Sequence, residues 1–205
     1  MSAEGYKIRD QFAVHFITFA VVQWADVFTR SEYAEIVIES LQFCQQKKGL
    51  NIHAWCIMPN HLHLIISGKE PNRISDILRD FKKFTSFKIV DAIEKNKKES
   101  RRGWLLWLFR VAGKENSRNT DYRFWQQDNH PVECNTAAIL QSRMDYLHEN
   151  PVRAGLVWQE EDYRYSSEID YYTTKKGLIE IDWLDRYLLS QRLSSILKSL
   201  VTAAP

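Results

Sequence analysis

The stretch Asn51-Ile52-His53-Ala54-Trp55-Cys56-Ile57-Met58-Pro59-Asn60-His61-Leu62-His63-Leu64-Ile65-Ile66-Ser67 decides how this chain is read. Two runs, residues 51–58 and 61–67, are dense in aliphatic, aromatic and β-branched side chains, the composition of strands. Between them stand Pro59 and Asn60, both turn formers. The stretch therefore reads as a β-hairpin. In a strand, residues i and i+2 point to the same face. His61 and His63 then lie side by side, while Leu62 and Leu64 face the other way into a core.

Outward from the hairpin, residues 14–22 (VHFITFAVV) read as a buried strand. Ser31 is a candidate N-cap for a helix whose apolar positions are Ala34, Val37, Ile38, Leu41 and Cys44, with Gly49 just past its end. After the hairpin, Ile74, Ile77, Leu78, Phe81 and Phe84 mark a second amphipathic helix. Residues 95–102 are a charged run, read as a loop or frayed helix end, and 104–109 read as helical. Residues 122–127 read as a short strand. A helix over 136–150 is expected to stop at Pro151, since proline disfavours helix before it. A last amphipathic helix is expected over 183–200. The order β, α, β-turn-β, α, helix, β, α predicts an α+β ferredoxin-like sandwich. That means a four-stranded antiparallel sheet with helices on one face, plus a helical C-terminal extension. The expected division is a folded domain over 1–170, and a mostly helical C-terminal extension over 171–205.

Composition sets the outer limits. The 205 residues are 44% hydrophobic and 26% charged, with Gly 7 and Pro 5, which excludes a disordered or collagen-like chain. Net charge is only +2, yet residues 73–118 carry 13 basic and 6 acidic side chains. Residues 133–186 carry 6 basic and 11 acidic ones. A basic middle can meet phosphate backbones, and it can equally be a solvated helix face. Cys44, Cys56 and Cys134 form no disulfide framework and no zinc spacing, so the chain reads as cytoplasmic. Residues 1–7 lack a signal-peptide layout. No uncharged window is apolar enough to span a membrane.

Two constellations could carry chemistry. The first is His61-x-His63: two imidazoles on one strand face suit one divalent metal, and they suit two structurally satisfied histidines as well. The second is Tyr146-Leu147-His148-Glu149-Asn150. Tyr146 and Asn150 are four apart, so they share a helix face, flanking an apolar stripe of Ala137, Leu140, Met144 and Leu147. A phenol can be a nucleophile and an amide oxygen is a hard metal ligand. Taken alone, packing for the tyrosine and a C-cap for the asparagine remain open. His15, His53, His130 and His148 read as structural. No Gly-rich phosphate loop, Gly-x-Ser-x-Gly or Cys-x-x-Cys is present.

Taken together, the blocks resemble the single-tyrosine HUH transposases (IS200-like), most closely the REP-associated tyrosine transposases. The blocks are residues 15–19 (HFITF), 54–65 (AWCIMPNHLHLI), 80–86 (DFKKFTS), 124–126 (FWQ), 146–157 (YLHENPVRAGLV) and 162–167 (DYRYSS). The resemblance implies that His61 and His63 are metal ligands, Asn150 the third ligand and Tyr146 the nucleophile. The cofactor implied is Mg²⁺ or Mn²⁺, and the reaction is strand cleavage through a 5′-phosphotyrosine. The partner implied is single-stranded or hairpin DNA, as in repetitive palindromic elements, with nucleoid association when bound. Asn150 departs from family members that have glutamine there, which bears on metal affinity.

For DNA contacts the sequence offers Arg79, Lys82, Lys83, Lys88 and Arg153. Interleaved Phe81, Phe84, Phe87, Trp104 and Trp107 are expected to be mostly core, with some left for base stacking. Residues 171–205 carry no motif. They are left with three roles: packing on the core, touching the hairpin, or pairing two copies as a homodimer. A hairpin-binding protein that does not cut, and a metal hydrolase that uses water, are the alternatives.

Overall fold

The computed structural model describes residues 8–114, 122–127 and 129–184. Its elements are β1 (His15–Ala20), α1 (Ser31–Lys48), β2 (Leu50–Met58), β3 (His61–Gly68), α2 (Ile74–Lys95), α3 (Arg102–Lys114), β4 (Val132–Glu133), α4 (Ala137–Arg153) and α5 (Glu168–Tyr172). The strands form one antiparallel sheet in the order β2-β3-β1-β4. This is the ferredoxin-like arrangement expected from the order of elements, with α3 inserted between α2 and β4.

The hairpin is where the sequence put it, with Met58 paired to His61 around Pro59-Asn60. A bulge between Ile52 and Ala54 resets the parity of β2. Because of it, Leu50 and Ile52 before the bulge share a face with Trp55 and Ile57 after it. That face also carries Ile17, Phe19, Leu62, Leu64 and Ile66, and it packs against α1 and α2. Gly49 ends α1 in the left-handed conformation (φ 72°), its N–H on the Cys44 carbonyl, a position that suits glycine. Arg30 and Arg101 close on the fully buried Glu99 carboxylate at 2.5 and 3.2 Å, tying the α2–α3 loop to the start of α1.

Four details differ from the sequence reading. First, the helices do not all lie on one face. α4 covers the opposite one, where Leu140, Met144 and Leu147 pack on Phe16, Ala54, Cys56, Met58 and Ile65. Both faces of the central strands are apolar enough to need a cover, and α1 and α2 fill only one. Secondly, the fourth strand is Val132–Glu133, not residues 122–127. Phe124 and Trp125 are both buried instead of alternating, and the Trp125 indole donates to Thr85 Oγ1 on α2 at 2.9 Å. The segment makes one isolated bridge, Val21 to Trp125. Thirdly, Pro151 does not stop α4, which runs to Arg153. In the last turn its missing N–H removes one helical bond, and the Ala154 N–H closes on the Asn150 carbonyl at 2.9 Å. Fourthly, Trp183 and Leu184 are not helical; the rest of the expected helix over 183–200 lies outside the described residues. Among the described residues, no helix is long and apolar enough to cross a membrane.

Candidate active site

The strand alternation that buries Leu62 and Leu64 turns His61 and His63 onto the α4 face. Their Nε2 atoms converge to 3.0 Å. Each ring is aimed from behind: His61 Nδ1 donates to Asn60 Oδ1 at 2.6 Å, and His63 Nδ1 meets Thr18 Oγ1 at 2.8 Å. Thr18 stands directly across from His63 on β1, which is why the sheet register supplies this partner. Phe16 stacks on His63 with ring centroids 5.3 Å apart. Burial pulls the His61 pKa down to about 4. Burial, and secondarily the neighbouring His61, pull His63 down to about 3. Both imidazoles are therefore neutral at pH 7, the form that ligates a metal.

A hydrogen count follows from these contacts. With His61 Nδ1 protonated, its Nε2 is a bare acceptor. The 3.0 Å contact then requires His63 to donate from Nε2, and Thr18 to donate to His63 Nδ1. If Thr18 instead accepts from His63 Nδ1, both Nε2 atoms present lone pairs to the same point. A hydroxyl can donate or accept, so Thr18 is compatible with either arrangement.

The donor set fits a hard divalent ion. Two neighbouring ligands in an octahedral shell with bonds of about 2.1 Å are separated by about 3.0 Å, which is the Nε2 spacing observed here. Among the described residues no group of three or more His, Cys, Asp or Glu side chains could hold a metal. Among the described residues, further donors would be amide, solvent or substrate oxygens, which suit Mg²⁺ or Mn²⁺.

Tyr146 and Asn150 come from α4. The Tyr146 ring lies edge-on to His63, centroids 5.3 Å apart, and edge-on to Phe16 at 6.0 Å. The residue remains 37% exposed. The Asn150 amide donates from Nδ2 to the Tyr146 carbonyl at 2.9 Å, which orients its side chain and leaves Oδ1 as an acceptor. α4 is fastened to the sheet by His148. Its Nε2 meets Ser167 Oγ at 2.8 Å and its Nδ1 pairs with Glu168, all three residues being fully buried. Ser167 in turn accepts from the Trp55 N–H at 3.0 Å. His148 is thus structural, as expected, and so is His53, held by the Asp182 carbonyl and Ser67 Oγ.

The five expected DNA contacts are not gathered in one place. Arg79 and Lys82 line a cleft of about 620 Å³ together with Arg73, Gln11, Ser75 and Asn129. Lys82 donates to the Gln126 carbonyl and Asn129 Oδ1, both at 2.8 Å, and Arg79 is held by Asp76 at 2.7 Å. Lys83 and Lys88 are exposed on α2, with Lys88 over the Phe84 ring. Arg153 lies on the last turn of α4, paired with Glu149. Of the five interleaved aromatics only Phe81 is core; Phe84, Phe87, Trp104 and Trp107 are each about half exposed.

The sequence reading missed Trp24. Its ring stands edge-on to His61, centroids 5.5 Å apart, and is 53% exposed. Gln23 and Trp24 both have left-handed backbone, φ 54° and 53°. For residues other than glycine that costs on the order of 1–2 kcal/mol each. The turn is held there by the Val21 N–H on the Asn60 carbonyl and the Val22 N–H on the Phe124 carbonyl, both at 2.9 Å. Nothing in the local sequence signals such a turn, because it is imposed by the hairpin and the 122–127 segment.

Comparison with known proteins follows the same lines. The profile of the IS200-like transposases matches residues 9–111, the span from ahead of β1 to α3 that includes both histidines. Tyr146 and Asn150 lie beyond it. Among solved structures, a REP-associated tyrosine transposase bound to a REP hairpin superposes with a TM-score of 0.61 at 18% identity, covering 89% of this chain and 91% of that one. A Deinococcus radiodurans R1 protein named as a candidate transposase gives a TM-score of 0.41 at 16% identity, covering 72% of this chain and 98% of that one. No curated protein matches. The first superposition shows a shared fold, and the profile match spans half of the sequence with the paired histidines inside it: the chain belongs to the IS200-like transposases.

Proposed function

We propose that this transposase cleaves and rejoins single-stranded DNA at hairpins by a metal-assisted mechanism in which Tyr146 is the nucleophile. One observation carries the reading. Two neutral imidazoles, His63 buried and His61 half-buried, converge at 3.0 Å, and a partly exposed phenol ring lies against His63 on the same sheet face. A nucleophile beside a cation site is what phosphoryl transfer requires.

His61 and His63 would hold the ion, with Asn150 Oδ1 as the third protein donor. Bound there, Mg²⁺ or Mn²⁺ supplies charge neutralisation at the scissile phosphate. The Tyr146 oxygen attacks phosphorus. The new O–P bond forms as the bond to the 3′ oxygen breaks. The phenol proton leaves to solvent through the open side of the ring, and the departing oxygen takes a proton to become a 3′-hydroxyl. The product is a 5′-phosphotyrosine, which keeps the phosphodiester energy for the rejoining step, so no ATP is needed. α4 supports this by fixing the phenol: Met144 and Leu147, on either side of Tyr146, are buried in the sheet cluster and His148 is bolted to Ser167 and Glu168, which holds the backbone at Tyr146. The cleft with Arg73, Arg79 and Lys82 would hold phosphates of the same strand.

The test uses a labelled hairpin with single-stranded flanks. Wild-type protein with Mg²⁺ or Mn²⁺ should yield a band of protein covalently joined to the strand 3′ of the cut, and Tyr146→Phe none. Cleavage by Tyr146→Phe at the wild-type rate would make water the nucleophile. Tight hairpin binding by wild type with no cleavage in either ion would leave a binding protein.

A further inference from the structure

All three residues, other than glycine, whose φ is positive among those described line one cleft. They are Gln23 (54°), Trp24 (53°) and His130 (41°). The cleft measures about 360 Å³ and is completed by Val22, Arg123, Gln126 and Gln127. Left-handed backbone in such residues survives only where the surroundings over-determine it, and it gathers at sites of recognition. Here it comes from two segments distant in sequence, which makes a local accident of one turn a poor account.

The chemistry of the lining is specific. Trp24 offers an exposed aromatic face. Gln23, Gln126 and Gln127 carry primary amides, each both donor and acceptor, while Arg123 adds donors and His130 an imidazole. Among the described residues, no carboxylate lines the cleft. An indole platform ringed by amides and guanidinium matches an unpaired nucleobase: the ring stacks on one face and the amides read its polar edge. The lining is tied down, since Gln126 donates to the Val21 carbonyl at 3.2 Å and its own N–H meets the Ala20 carbonyl at 2.8 Å. The cleft adjoins the histidine pair through Trp24, which lines it and stands edge-on to His61.

From this we infer that the Trp24 cleft is a base-reading pocket, which takes one unpaired nucleotide of the DNA strand next to the phosphate held at His61 and His63. The inference rests on the proposed action on single-stranded DNA and adds where sequence choice near the cut is made. It also accounts for the strained turn.

The experiment is selection from a hairpin library with a fixed stem and randomised single-stranded flanks. Binding is measured without divalent metal, so that it does not depend on cleavage. Wild type should enrich one base at one flank position at least ten-fold. Trp24→Gly should flatten that position while leaving the stem preference. Glycine suits left-handed backbone, so this variant should melt no lower than wild type, and loss of selection cannot be put down to misfolding. Trp24→Phe should restore part of the enrichment, and Gln126→Ala or Gln127→Ala should change which base is preferred. Equal enrichment by Trp24→Gly and wild type, or no enriched position in wild type, would overturn the pocket. Failure of the cleavage reading looks different: enrichment coupled to Trp24 would persist with no covalent adduct.

Discussion

The two faces of the sheet are made of the same strands and have been put to different uses. One face, under α1 and α2, is a continuous apolar core in which Trp55, Leu62 and Leu64 are fully buried. The other, under α4, has a much smaller apolar cluster, with polar groups placed around it: the histidine pair, Thr18 and the buried His148–Ser167–Glu168 link. The contrast is sharpest along four consecutive residues. His61 and His63 point to one face and Leu62 and Leu64 to the other. The lesson is that the period of a strand lets one peptide segment stabilise the molecule and arm it, with little interference between the two tasks.

That separation can be broken from either side. The largest effect is expected on the chemical face. Tyr146→Phe keeps the ring against His63 and removes only the oxygen, so cleavage should fall by several orders of magnitude, as for any lost nucleophile. His63→Ala should do the same. In both variants the melting temperature should stay close to wild type, measured by circular dichroism. A melting temperature lowered by about 10 °C or more would mean that the two faces are not independent, given the usual scaling of stability with temperature.

One residue further on, Leu64→Ala should act the other way. It should cost about 2–5 kcal/mol of stability in urea denaturation, because it leaves a cavity in the core face. The folded fraction should still cut DNA at a normal rate per molecule. Loss of activity in that fraction would show that the core face tunes the site.

A smaller effect concerns acid. The folded histidines have pKa values of about 4 and about 3, while the unfolded chain titrates near 6.5. Below about pH 6.5 the unfolded state therefore binds protons that the native pair refuses. Native stability is complete above that pH and falls as pH drops toward 4. The slope is at most about 1.4 kcal/mol per pH unit per histidine. The double variant His61→Asn/His63→Asn should flatten it in a pH series of urea melts. If it does not, the pair is not held neutral by burial. Mn²⁺ should raise the melting temperature of wild type and not of the double variant.

The smallest effects belong to the surface cations. Arg79→Ala and Lys83→Ala should each weaken hairpin binding only a few-fold and lower the slope of log affinity against log salt by about one. Titrations at several salt concentrations would read it. An unchanged slope would remove that residue from the DNA contact.

Much of this could be read from the chain alone. Two strand-like runs and a Pro-Asn turn pointed to the hairpin and to the common face of His61 and His63, because those are properties of neighbours in sequence; the bulge between Ile52 and Ala54 was not legible. The spacing of Tyr146 and Asn150 likewise placed them on one helical face. Other features were decided only when distant segments met. α4 chose the histidine face because Phe16, Ala54, Cys56, Met58 and Ile65, from three different strands, form an apolar seat for it. The fourth strand moved to Val132–Glu133 because Phe124 and Trp125 found a core to enter. Trp24 acquired its place beside His61 from hydrogen bonds to Asn60 and Phe124, far away along the chain. The burial that keeps both imidazoles neutral has the same origin. Periodicity and turn chemistry are local and can be seen in a string of letters; burial, strained backbone and converging side chains depend on which surfaces the folded chain brings together.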